Sequence, residues 1–150
     1  MIKLTKEYKT IIFDCDGVVL NSNKIKTNVF YEVTKHFGHK FSQSLVDYHL
    51  INGGISRYQK FEYFITKILQ KPYDKILNEE LLEDFAKYVK RSLINCEIAE
   101  GLDQLKAKNP KANWLIVSGS DQNELQEVFK ALNIQRYFEG GIFGSPDDKN

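Results

Sequence analysis

The chain has 150 residues, 42% of them hydrophobic and 27% charged, a globular balance that excludes a disordered polymer and matches one domain. Its 21 Lys and Arg against 20 Asp and Glu leave a formal charge of +1, so no bulk field draws it to nucleic acid or anionic lipid. No apolar run approaches the ~20 residues of a membrane span, MIKLTKEYKT has no apolar signal core, and Cys15 and Cys96 make no disulfide framework; a soluble, cytoplasmic chain is expected.

Thr10-Ile11-Ile12-Phe13 is a short apolar run ending at Asp14 and reads as a buried strand. Helical periodicity follows. Ile25, Val29, Val33 and Phe37 recur every four residues, with Gly38 as the stop. Tyr58, Phe61, Phe64/Ile65 and Ile68/Leu69 form a second stripe, and Leu81/Leu82, Phe85, Val89 and Leu93 a third. Trp114-Leu115-Ile116-Val117 is a second strand, ending in Ser118-Gly119-Ser120. Asp121-x-x-Glu124 then has the capping-box pattern of a helix carrying Leu125, Val128/Phe129 and Leu132. Ile142-Phe143, bracketed by glycines, is a third strand. The order predicts an α/β protein: residues 1–20 and 96–150 form a parallel sheet core, and 21–95 form an inserted helical subdomain. Parallel strands put ligands at their C-terminal ends, where Asp14 and Ser118 stand.

Phe13-Asp14-Cys15-Asp16-Gly17 carries the most chemistry. Two carboxylates two residues apart, just past a buried strand, face one pocket if the chain turns at Gly17. One could attack while the other gives and takes a proton, and Mg²⁺ suits such oxygens. The plain alternative is a turn with solvated acids. Alternation turns Cys15 away from both, toward the core. His36, His39 and His49 have no metal-ligand spacing, Arg57 and Lys60 share one helical turn, and Lys106, Lys108 and Lys111 read as a solvated helix end.

The run Asp14-x-Asp16-Gly17-Val18-Val19-x-Asn21-Ser22 resembles the first motif of the haloacid dehalogenase (HAD) superfamily, mostly phosphatases. Leu115-Ile116-Val117-Ser118-Gly119 resembles its second motif, and Gly144-Ser145-Pro146-Asp147-Asp148-Lys149 its third. Gly53-Gly54-Ile55-Ser56-Arg57-Tyr58-Gln59-Lys60-Phe61 is similar to the substrate-facing cap segment of the phosphoglycolate phosphatase and β-phosphoglucomutase-like branch. The resemblance implies a Rossmann-like core with a helical cap and a Mg²⁺-dependent phosphatase acting on a small phosphorylated metabolite through an aspartyl phosphate. A phosphomutase, or a non-catalytic phosphate-binding or interaction domain, is the alternative.

Asp14 is then the nucleophile and Asp16 the general acid and base. Asp14 and the Asp16 carbonyl are the metal ligands. Ser118, Gly119 and Lys149 bind phosphate, Lys149 also being catalytic by offsetting charge on the equatorial oxygens as the phosphoryl group moves, and Arg57 and Lys60 set substrate specificity from the cap. Asn21 replaces a usual acid in a structural position. The family's fourth motif, an acidic Gly-Asp loop, has no counterpart before Asn150. A continuing segment or self-association is therefore expected to complete the sheet beside Thr10–Phe13 and the metal site, with Asp147 and Asp148 only weak substitutes.

Overall fold

The computed structural model describes residues 7–145. Three parallel strands, β1 (Thr10–Phe13), β2 (Asn113–Asp121) and β3 (Gly141–Ser145), form a sheet in the order β1-β2-β3. Between β1 and β2 run α1 (Asn23–Thr34), α2 (His39–Ile51), α3 (Arg57–Tyr63), α4 (Lys75–Leu93) and α5 (Leu102–Lys108); α6 (Gln122–Ala131) connects β2 to β3. β2 runs four residues beyond Val117, through Ser118-Gly119-Ser120, and its register against β3 shifts between Val117 and Asp121. The expected edge is present: β1 has a partner on one side only among the described residues, and its Ile12 is 64% exposed.

α1 follows the predicted stripe but rotated. Its buried residues are Lys26, Val29, Phe30, Val33 and Thr34, while Ile25 is half-buried. A strict four-residue repeat drifts around a helix of 3.6 residues per turn, so the contacting face is the 26–29–30–33 row. α2 is an additional helix that the stripes did not mark. It packs on α1 through Leu45 and Val46, starting at Gly38, whose φ of +115° ends the preceding turn. A π-type turn, Phe64–Ile68, extends α3 and buries Phe64 and Ile65. The predicted core stripe holds at Phe61 and Phe64, both fully buried, but Tyr58 is half-buried and hydrogen-bonded. Lys106 also departs from expectation: its ammonium donates to the Ala112 carbonyl at 3.2 Å and lies 5.1 Å over the Trp114 ring, so it packs rather than ending a solvated helix.

One continuous cluster, from Cys15 and Val29 through Phe61 and Phe85 to Trp114 and Phe129, joins helices and sheet. The two connections between them run side by side. Asn21 N–H donates to the Glu97 carbonyl at 2.9 Å, its side-chain amide to the Glu97 carboxylate at 2.8 Å, and Ala99 N–H to Val19 O at 2.8 Å. Asn21 thus does structural work, and its neutral amide suits a partner that is itself an acid. No helix among the described residues is long and apolar enough to cross a membrane.

Candidate active site

The chain turns directly after β1. Gly17 takes φ +73°, a conformation L side chains rarely adopt, and the Val19 and Leu20 N–H groups converge on the Cys15 carbonyl at 2.9 and 3.0 Å. Cys15 is fully buried, and burial, then the Asp16 charge, pushes its thiol above its ordinary range. Asp14 and Asp16 both line a cavity of about 420 Å³, within the usual size for a small-molecule site. Asp14 is exposed, and its Oδ1 accepts the Cys15 N–H at 2.8 Å.

Asp16 is enclosed by donors. The Lys26 ammonium lies 2.6 Å from Oδ1 and 2.8 Å from Oδ2. The Ser22 hydroxyl donates to Oδ1 at 2.5 Å, and the Ser120 hydroxyl to Oδ2 at 2.9 Å; Lys26 also donates to Ser120. Burial by itself would raise this carboxyl. The Lys26 charge and the hydrogen bonds from Lys26, Ser22 and Ser120 outweigh it and hold Asp16 below the ordinary carboxylate value.

The opposite wall comes from the helical segment. Gly119 permits its approach, since a Cβ there would meet the Gly54 carbonyl oxygen at 2.8 Å. Arg57 and Lys60 both line the cavity and are buried, at 6% and 2% exposure, so neither lies on a solvated face. They are not equivalent. Arg57 pairs with Glu124 at 2.6 Å and stacks 4.5 Å over Phe85. Lys60 donates to Nδ1 of His49 at 2.9 Å. His49 is pushed down to about 4 by burial and by the Lys60 and Lys26 charges, and is neutral at pH 7. Lys60 is lowered to about 8 by burial, with Lys26 and Arg57 adding like charge and Asp16 opposing.

At the end of β2, Ser118 is buried and its hydroxyl accepts the Ser120 N–H at 3.2 Å; Gly119 and Ser120 line the cavity instead. Asp121 caps α6 as predicted, its Oδ1 accepting the Glu124 N–H at 3.0 Å. Its Oδ2 takes the Tyr58 hydroxyl at 2.5 Å, and the Glu124 carboxylate leaves the capping box for Arg57. Lys149, Asp147 and Asp148 lie outside the described residues. Lys26, Ser120 and His49 are site residues outside the motifs, and Ser22, the last residue of the first motif, had been given no role. For Lys26 a signal existed: it heads the 26–29–30–33 row, a lone charge on an otherwise apolar face.

A parallel α/β sheet thus carries an acidic pair just past its first strand, facing a cation-bearing helical wall across one cavity. A family model for haloacid dehalogenase-like hydrolases matches residues 8–150, and the chain belongs to that family. It is 22% identical over 140 residues to a phosphorylated carbohydrates phosphatase of Thermotoga maritima, spanning 91% of this chain and 61% of that protein. Its fold is shared with a predicted phosphoglycolate phosphatase of Haemophilus somnus (TM-score 0.68, 18% identity, 97% of this chain and 66% of that one). The same holds for a HAD hydrolase of Entamoeba histolytica (TM-score 0.68, 16% identity, 95% and 64%). The chain thus spans under two thirds of the length of each of these relatives.

Proposed function

We propose that the chain carries the nucleophile end of a phosphatase that acts on a small phosphorylated metabolite in the cytoplasm. The observation that supports it most is the pair at the end of β1: exposed Asp14 and donor-enclosed Asp16, lining one cavity. A carboxylate oxygen of Asp14 attacks phosphorus, the P–O ester bond breaks, and the leaving alcohol oxygen takes a proton from Asp16. Asp16 then accepts a proton from the water that attacks the aspartyl phosphate, which frees phosphate and restores Asp14.

Asp16 must hold a proton at the first step, whereas its contacts favour the carboxylate. An arriving phosphoryl dianion works against that preference, because it adds negative charge beside Asp16 and gives Lys26 a second anion to pair with. Gly119 and Ser120 would meet the phosphoryl oxygens at the end of β2, with Ser118 beneath them. Arg57 and Lys60 would face the rest of the substrate from residues 21–95, acting as a cap.

Mg²⁺ fits the donors in kind. The Asp14 carboxylate and the Asp16 main-chain carbonyl are hard oxygens, the type it takes beside water and substrate phosphate. Among the described residues no group of three or more His, Cys, Asp and Glu gathers, so these two would hold it with water and substrate. Bound there, it would supply positive charge to the phosphoryl oxygens.

The test is single-turnover hydrolysis of a phosphate monoester in ¹⁸O-water with Mg²⁺, read by mass spectrometry of the Asp14 peptide. One ¹⁸O should appear in the released phosphate and none in Asp14, since water attacking phosphorus leaves its oxygen on phosphate, whereas water attacking the acyl carbon would label the aspartate; the Asp14 peptide and the released phosphate are therefore read together. Label on phosphate, with trapping of a phosphoryl group on Asp14 by rapid quench, supports the mechanism. Phosphate release with no phosphoryl group ever found on Asp14 would sink it. Asp14→Asn should abolish turnover without unfolding the chain.

A further inference from the structure

Lys26 is matched by Asp16 and Arg57 by Glu124, but Lys60 forms no ion pair with a carboxylate among the described residues. Lysine is seldom this buried without a counter-charge, because desolvating an ammonium is costly. Its polar neighbour is His49 Nδ1 at 2.9 Å, and the ammonium lies 5.5 Å from the centroid of the Phe30 ring. A neutral imidazole and an aromatic face orient a cation without cancelling it. His49 is neutral at pH 7, with burial the first cause, and Lys60 at about 8 stays mostly protonated there. Lys60 and His49 both line the cavity that holds Asp14 and Asp16. The surplus positive charge therefore belongs to the ligand space.

We propose that Lys60, oriented by His49, receives a second anionic group of the substrate, so that this site prefers phosphate monoesters carrying another anion, a carboxylate or a second phosphate, over otherwise neutral ones. This rests on the phosphate-ester reading above and narrows it. It also separates two residues that sequence spacing had placed together. Arg57 is neutralised by Glu124 and serves as packing and docking, which leaves Lys60 as the cation able to discriminate.

The probes are matched pairs measured by calorimetry without divalent metal. 2-Phosphoglycolate against ethyl phosphate tests the carboxylate arm, and propane-1,3-diol bisphosphate against propyl phosphate tests the phosphate arm. The member with the anionic tail should, in at least one pair, bind about tenfold or more tightly, as one charge-assisted contact supplies. The arm with the larger ratio identifies the second anion. Lys60→Met should reduce that ratio to below about threefold, and Lys60→Arg should restore part of it. Circular dichroism checks that the variants fold, with Lys60→Gln as the second variant should Met misfold. A ratio near one in both pairs, binding of no probe, or Lys60→Met weakening both members equally (the mark of a contact to the reacting phosphoryl group) would overturn the proposal. A binding ratio that vanishes in Lys60→Met, with ester hydrolysed but no phosphoryl group ever found on Asp14, would support the anion site and sink the phosphatase reading.

Discussion

Removing Lys26 should expose how strongly the site is held together by one ion pair. In Lys26→Met the Asp16 carboxylate loses its counter-ion and keeps the Ser22 and Ser120 hydroxyls. Breaking a fully buried pair costs about 3–5 kcal/mol. Asp16 retains 26% side-chain exposure, so water screens part of that and about 2–3 kcal/mol is the reasoned loss at pH 7. For a chain of this size that is roughly 5–10 °C in melting temperature. The pH dependence has a definite sign. Asp16 has its folded pKa depressed, so its contribution is complete above the unfolded value of 3.8 and is lost as pH falls through the folded one. The deficit of Lys26→Met should therefore be largest at neutral pH and shrink below about pH 4. Urea denaturation at pH 7 and pH 3.5 measures it, and adding Asp16→Asn completes a double-mutant cycle with a coupling above about 1.5 kcal/mol. A coupling below about 0.5 kcal/mol at pH 7, or a deficit that grows in acid, would refute the argument.

Arg57→Met should cost about 3–5 kcal/mol at pH 7 because Glu124 is left buried and unpaired, while Arg57→Met with Glu124→Leu should lose much less; thermal melts of the three variants decide. Lys60→Met should raise stability at pH 7 by about 1–2 kcal/mol, after a discount for cavity water. Since the folded Lys60 gives up its proton near 8 and the unfolded one near 10.5, wild-type stability should rise with pH across that window and the variant should lack the rise. Asp16→Ala should reduce turnover of an alkyl phosphate far more than of p-nitrophenyl phosphate, because a stable leaving group needs little protonation, and equal losses would remove Asp16 from the acid role. Gly119→Ala should push the Gly53–Gly54 segment off β2 and lower activity by weakening substrate binding, seen as a raised KM.

The parts of this fold that a single chain can announce are those with short-range causes. β1 and β2 were legible as short apolar runs, although β1, read as buried, has no fully buried residue and β2 buries alternate ones; the α6 start was legible because a cap is a local hydrogen bond. α2 was not, because it buries Ser42, Leu45 and Val46 while Leu50 and Ile51 stand exposed, which blurs its period. In the site, spacing past β1 marked Asp14 and Asp16 as a candidate pair, and the resemblance to the first motif gave them their roles. Lys26 and Ser120 were not marked, since a lysine one position off an apolar stripe is usually solvated, and a strand expected to stop at Val117 gives no reason to follow its alternation to residue 120. Arg57 and Lys60 sat together by sequence, and only the position of Glu124 in space separates their roles.

Asp121 and Glu124 show how local and long-range requirements share the same atoms. Each carboxylate could have been used up in starting α6. Instead Asp121 gives one oxygen to the Glu124 N–H and the other to Tyr58, while Glu124 turns wholly to Arg57. Lys26 reaches Ser120 and Asp16 from the first turn of α1. Among the described residues, every cation that lines the cavity comes from the helical segment, and the acids that answer them come from the turn after β1 and from α6. Packing alone would let apolar faces slide; ion pairs with fixed donors and acceptors do not, because a displaced one leaves a buried charge unmatched. The same contacts that fix the helical wall against the sheet bury Lys26, Arg57 and Glu124, and burial strengthens the electrostatic interactions among them. Docking and charge placement are then one requirement, and Lys60, the cation left over when that requirement is met, is the one free to choose a ligand.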